Sequence, residues 1–385
     1  MSYRTASLTA LALALAASAM LPARAAPPAL TPMPASDIVV GQSAPLSGPF
    51  AALGRDYRNG ALLAFDAANR QGGVAGRKVR LVTLDDAYAA DRAESNARAL
   101  IHEHKAVCFL NHMFTNTVLA SLPIASRAGV PFVGPYTGHS SLYRQTDPLL
   151  FVTRASFSDE LNALANYAST VGYARVGLVY YANEVGNEFR AEVERRLART
   201  GTRLASAAAM EVGGEAEKAA QALAVNGEDA IILGVSGSDA VRFIRSQAAG
   251  AARRPIYLAR SLVSSHQLHA ELGPLVSGVV VSQLVPSPFR PSSPLVRQYL
   301  SLVSQRGGDA SPSFVEFEGF INATFLLSVL RRTEGDVTRA SLARALGSSG
   351  KTDLGGYVID FTGGSRSGST YVELTMLRAD GSFAQ

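Results

Sequence analysis

One cysteine in 385 residues, Cys108, leaves no internal disulfide to staple the fold, so a hydrophobic core must carry the stability. Cys108 lies in an apolar stretch, where a small buried hydrophobe is the plain reading. Runs of lysine or arginine are missing, and aromatics do not interleave with the basic residues, which excludes a nucleic-acid surface. Beyond residue 25 no stretch offers about 18 uninterrupted apolar residues, so no membrane span is expected. Phosphate-binding loops are absent too: Gly48 and Gly54 do not make G-x-G-x-x-G, and no G-x-x-x-x-G-K-[ST] occurs. Gly234-Val235-Ser236-Gly237-Ser238 lacks the last glycine of a nucleophile elbow. His102 and His104 stand two apart on a predicted helix and face different ways, which disfavours a metal pair. The adjacent Asp85 and Asp86 leave a strand pointing oppositely and suit a turn or a helix cap better than paired acid–base work. With these removed, no catalytic constellation, metal set or cofactor motif is left, and binding is favoured over turnover.

What is present is an ordinary globular composition, 47% apolar and 17% charged, with 34 glycines and 18 prolines. The length suits two lobes of roughly 120–180 residues each. Residues 1–25 read as a secretory signal: Arg4 is a positive n-region, Leu8–Leu21 an apolar run, and Ala23-Arg24-Ala25 a small-residue cleavage site. Cleavage after Ala25 would remove Arg4 and Arg24 and no acid, lowering the net charge from +5 to +3. No cysteine stands near that point to carry a lipid anchor, so a soluble, exported chain is expected. Residues 26–36 form a proline-rich lead without periodicity.

From Asp37 strands alternate with helices. Strands are predicted at 38–46, 78–84, 107–110, 131–133 and 149–153, with helices over 55–70 and 91–104 and one ending at Gly129. After a helix ending near Gly172 the pattern restarts, with strands at 176–181, 203–210, 230–233, 256–259 and 278–284. Pro286, Pro288, Pro291 and Pro294 break it again. Helices over 294–305, 314–332 and 339–346 follow, then strands at 357–361 and 370–377. Such alternation means parallel sheets covered on both faces. The breaks near 154 and 285 point to two Rossmann-like lobes with a cleft between them.

The stretch Val107–Ser140 is the most telling. Two successive strands each end in a polar loop, Asn111–Asn116 and Gly134–Gly138, and ligands of open α/β sheets collect outside the carboxyl ends of strands. Thr115 or Asn116 is expected to cap the intervening helix, whose first N–H groups would suit a carboxylate. Pro123 within that helix signals a short or kinked first turn. His112 lies on the loop expected to face the cleft, with a structural hydrogen bond as its default role.

Taken with its order of segments, the chain resembles the type I periplasmic solute-binding proteins of ABC transporters, in the leucine/isoleucine/valine-binding branch. The matched segments are Val39–Pro49, Asn69–Gly76 leading to Leu84-Asp85-Asp86, Gly129-Val130-Pro131 leading to Gly134-Pro135, Arg154–Glu160, Gly278–Pro288 and Phe314-Val315-Glu316. The resemblance implies an α/β fold of two Rossmann-like lobes with parallel sheets, joined by three crossovers. One lobe would comprise residues 37–155 plus 287–367, the other 156–286 plus 368–385, the final strand returning to the second lobe. It also implies a periplasmic protein, expected to be monomeric, that hands a small carboxylate-bearing solute to a permease in the inner membrane. A periplasmic ligand sensor feeding a signalling receptor is the alternative the same fold allows.

Residue by residue, the family's carboxylate grip falls on Thr115, Tyr136 and Gly138, with Asn116 and Thr137 beside them. Gly138 brings no hydroxyl, which Thr137 is placed to supply. Positions carrying tyrosines around the ligand in amino-acid binders are Leu53, Val185 and Ser236 here, and Phe314 matches an apolar wall. The acid that takes the ligand's ammonium falls at Arg260-Ser261, where no carboxylate stands. A buried ammonium without a counter-charge is costly, so an organic or aromatic acid competes with an amino acid as ligand, and Arg260 would favour a second anionic group. Tyr88 and Phe114 occupy the places of the family's disulfide.

Overall fold

The computed structural model describes residues 36–224, 227–250, 254–307 and 311–384. The expected signal segment, its cleavage site and all but the last residue of the proline-rich lead lie outside them. The first series runs β1 (Ile38–Ala44), α1 (Ala51–Arg70), β2 (Val79–Asp85), α2 (Ala90–His102), β3 (Cys108–Leu110), α3 (Thr115–Arg127), β4 (Phe132–Val133), α4 (Ser140–Tyr143) and β5 (Leu150–Phe151). The second runs α5 (Phe157–Val171), β6 (Arg175–Tyr181), α6 (Glu184–Arg199), β7 (Arg203–Met210), α7 (Ala216–Ala224), β8 (Ala230–Gly234), α8 (Gly237–Gly250), β9 (Ile256–Ala259), α9 (Ser265–Leu272) and β10 (Val280–Gln283). Then come α10 (Pro294–Arg306), α11 (Phe314–Arg332), α12 (Arg339–Gly347), β11 (Lys351–Asp353), β12 (Val358–Asp360), β13 (Glu373–Leu377) and β14 (Phe383–Ala384).

The strands form two principal sheets, giving the two-lobed α/β architecture. The first has the order β2-β1-β3-β4-β5 and is parallel throughout. The second has the order β14-β13-β10-β9-β8-β6-β7, parallel from β10 to β7. The chain's last strands join this second sheet, β13 pairing antiparallel with β10 from Val280↔Met376 to Gln283↔Glu373. The central strands β3, β4, β6 and β8 are almost wholly buried, as parallel strands covered on both faces must be.

Most boundaries fall within a few residues of the predicted ones, and α11 starts and stops where its spacing indicates. The differences have local causes. Helix α1 begins four residues earlier than periodicity suggests, directly after the Ser47-Gly48-Pro49 turn. The strand predicted at 357–361 is β12, but its hairpin partner β11 escaped notice, because three residues show no alternation to read. Helix α3 is not capped by Thr115 or Asn116; Phe114 is its N-cap, at φ 66°, and no side chain caps the first turn.

The helices of the first lobe are locked by contact of bare backbone. A Cβ on Gly60 of α1 would lie 1.9 Å from the Glu316 carbonyl oxygen, and one on Gly319 of α11 would lie 2.2 Å from that of Tyr57. Only glycine lets the two helices cross so closely. That crossing carries Tyr57 and Glu318, both buried, in beneath the cleft.

Candidate functional site

The carboxyl ends of β3, β4, β6, β8 and β9 converge on one cavity of about 610 Å³, within the range typical of small-molecule sites. One wall comes from the first sheet. Its two loops are zipped by backbone bonds, Tyr136 N–H to His112 O at 2.7 Å and Phe114 N–H to Tyr136 O at 3.2 Å. Thr115 and Thr137 share a hydroxyl–hydroxyl bond of 2.7 Å. Gly138 is small for a reason: a Cβ there would sit 2.6 Å from the backbone nitrogen of Phe157, whose N–H donates to the Gly138 carbonyl. The first intrahelical bond of α3 is Val118 N–H to Phe114 O, so the amides of residues 115–117 precede it.

The other wall comes from the second sheet. Tyr181 at the end of β6 donates its hydroxyl to Asp239 at 3.0 Å and accepts the Ser236 N–H at 3.1 Å. Asn183 caps α6, whose Val185, Phe189, Glu192 and Arg196 recur at helical spacing along the cavity. Arg260 follows β9 directly and is 6% exposed. Its guanidinium is sandwiched between Phe157 at 4.2 Å and Phe189 at 3.8 Å, and its Nε and Nη1 are buried without a hydrogen-bond partner. Burial, reinforced by Arg154 and opposed by Glu160, lowers its pKa to about 10, which leaves it a cation at neutral pH.

Contacts join the two walls. Tyr136 Oη donates to the Ser261 carbonyl at 2.8 Å, and His139 Nε2 meets Glu188 Oε2 at 2.8 Å at the rim. Phe50, Tyr88 and Phe114 cluster at centroid distances of 4.6–5.1 Å, and Phe50 meets Tyr181 across the cleft at 6.3 Å. Tyr88 and Phe114, at the positions of the family's disulfide, thus meet as an edge-on ring pair.

Of the residues singled out from sequence, Thr115, Tyr136, Thr137, Gly138, Val185, Ser236 and Arg260 line the cavity together. Four do not. Leu53 is fully buried in the apolar cluster with Ala44, Phe50 and Tyr57, on the core side of α1. Asn116, one step around the helix from Thr115, turns away and donates to the Tyr88 carbonyl. Ser261 donates its N–H to Glu160, and its hydroxyl oxygen accepts from Arg154. Phe314 packs on Phe289 and Phe383. His112 is likewise not a cleft residue: it lies buried between Phe109 and Phe132, its Nδ1 accepts the Ser43 N–H at 3.4 Å, and burial pushes its pKa down to about 3. Asp85 accepts the backbone N–H groups of Leu46, just after β1, and of Ala87, and Asp86 accepts that of Tyr88 in the turn after β2. Cys108 is buried, and burial pushes its thiol pKa up.

Sequence reasoning missed the cavity's rings, Phe50, Phe157, Tyr181 and Phe189. Phe189 was within reach, four residues beyond Val185 on one helical face.

A sequence model of the family described as "Periplasmic binding protein" matches residues 37–382. The chain belongs to that family. A solved periplasmic binding protein from Ralstonia solanacearum, described as substrate-binding, superposes with a TM-score of 0.84 at 32% identity, covering 90% of this chain and 99% of the other. Among curated relatives, a Leu/Ile/Val-binding protein of Rhizobium johnstonii is 41% identical over 73 residues, 19% of this chain and 20% of the relative. An amino acid binding protein of Pseudomonas aeruginosa is 30% identical over 100 residues, 26% of this chain and 27% of the relative. These matches therefore span about a quarter of the curated relatives' lengths. Family and fold are those of periplasmic solute-binding proteins. Among the described residues no helix is long and apolar enough to cross a membrane, and no group of three or more His, Cys, Asp or Glu is placed to hold a metal.

Proposed function

We propose that this periplasmic binding protein is the exported capture component of an ABC importer, closing its lobes on a small carboxylate-bearing solute and delivering it to a permease in the inner membrane. The moving bodies are residues 37–155 plus 287–367 and residues 156–286 plus 368–385, hinged where the chain crosses between them. One observation carries the reading: the cavity walls hold the hydroxyls of Thr115 and Thr137 and four arginines, Arg144, Arg195, Arg196 and Arg260, of which Arg195 and Arg196 are held by Glu192, against two carboxylates, both already engaged. Glu188 meets His139, and Glu192 takes Arg195, Arg196 and the Ser158 hydroxyl. An anionic solute is thereby favoured and an ammonium has no free acid to meet. Seven residues would touch the solute: Thr115, Tyr136, Thr137, Gly138, Val185, Ser236 and Arg260. Closure needs no chemistry, because a ligand that binds the closed state better shifts the population toward it.

The test is a thermal-shift screen of branched amino acids against matched keto, aromatic and dicarboxylic acids. Acids lacking an ammonium are expected to raise the melting temperature. Stabilisation by amino acids alone would sink the reading of the second wall. At 100 times its Kd a single-site ligand adds about 2.7 kcal/mol, ample for detection.

A further inference from the structure

We infer that the solute carries two anionic groups on an apolar body, one end held by Thr115, Thr137 and the first-turn amides of α3, the other by Arg260. The inference rests on the carboxylate reading above and narrows it.

Two observations meet here. Helix α3 opens on the cavity without a side-chain cap, whereas Ser156 and Asn183 cap α5 and α6, the other long helices lining it. An anion at that end would receive the amides that nothing else takes. Independently, Arg260 is 94% withdrawn from solvent, given its 6% exposure, yet no described side chain pairs with it within ion-pair distance. Two ring faces solvate it in place of an acid. Glu160 eases its burial from farther off: its Oε2 takes the Ser261 N–H and the Ser282 hydroxyl, its Oε1 is buried without a hydrogen-bond partner, and it neither reaches Arg260 within ion-pair distance nor lines the cavity. A guanidinium in this state is completed by a carboxylate, which it binds through paired N–H donors.

The two anchors stand on opposite walls, one after β3 and β4, the other after β9. A monocarboxylate reaching one leaves the other uncompensated. The same cavity is lined by Phe50, Phe114 and Tyr181, rings that suit an apolar or aromatic spacer and offer nothing to a polar one except the engaged Tyr181 hydroxyl. An α-amino group at the Arg260 end would face a like charge.

Isothermal titration of the mature protein, unfolded and refolded to strip carried ligand, tests this with matched pairs: terephthalate against benzoate, adipate against hexanoate, and leucine alongside. At least one diacid is expected to bind tenfold or more tighter than its monoacid partner. Arg260→Gln should bring that ratio toward one, and Arg260→Lys should restore part of it; circular dichroism and melting curves establish that both variants fold. Equal affinity of diacid and monoacid, or a ratio indifferent to Arg260→Gln, overturns the second anchor while leaving a monocarboxylate binder. Failure of all four acids overturns the inference outright. Leucine binding tighter than every acid overturns the carboxylate reading beneath it as well.

Discussion

The protein buries two arginines beside Ser261, Arg260 as its chain neighbour and Arg154 bonded to its hydroxyl, and they differ in where the nearest acid stands. Arg154 is 1% exposed and lies 3.4 Å from Glu318, donates to Ser261 Oγ and sits over the Tyr136 ring at 4.3 Å. Burial opposes its charge, but Glu318, Tyr136 and Glu160 outweigh it and hold its pKa above the usual arginine value. Arg260 has rings where Arg154 has an acid, and its pKa is lowered. The first is a structural cation, paid for within the fold. The second is left for something the fold does not contain. Burial alone does not distinguish the two; the position of the anion does.

The largest expected effect tests the first half of that contrast. Arg154→Met strands Glu318 in the interior and should cost about 3–5 kcal/mol of unfolding free energy in urea titration. A loss under 1 kcal/mol would mean the pair is not a structural unit.

Asp56 offers an acid to set beside them. Burial, with Glu316 adding to it, raises its pKa from 3.8 to about 6. A raised folded-state value contributes stability that is full below the unfolded pKa and lost as pH climbs through about 6. Asp56→Asn should therefore gain on the parent by about 2–3 kcal/mol between pH 4 and pH 7, read from melts across that range. A difference flat with pH would refute the assignment. His112 acts oppositely, since its lowered pKa removes stability as pH falls below about 6.5.

Thr115→Ala addresses the opposite wall. Losing its hydroxyl should weaken binding of a carboxylate ligand by about 1–3 kcal/mol, and unchanged affinity would take Thr115 out of the site. The smallest effect concerns Arg260 without ligand. Arg260→Leu removes an unpaired buried cation and should leave the empty protein as stable or about 1 kcal/mol more so, the reverse of Arg154→Met. A large destabilisation would place both arginines in the same class.

The repeated β–α pattern and the pair of loops at 111–116 and 134–138 were readable because strand and helix periods are local. The return of β13 to the second sheet was not, since nothing in the residues flanking it names its partner; only the resemblance supplied it. At the site, position was legible but direction was not. Ser261 follows Arg260 by one residue yet turns to Arg154, and Asn116 follows Thr115 but turns to Tyr88. His112 stands on the right loop and points into the core between two phenylalanines. The sandwich around Arg260 draws one ring from the start of α5 and another from α6, a pairing that exists only once both helices pack.

The ring contact between Tyr88 and Phe114 changes how the two loops that carry them can behave. A disulfide at that point would set one separation between the two loops and would have to be made by an oxidant. Edge-on rings set a range instead, because dispersion contacts slide by fractions of an ångström at little cost. The two loops therefore meet through a compliant contact that assembles without redox chemistry.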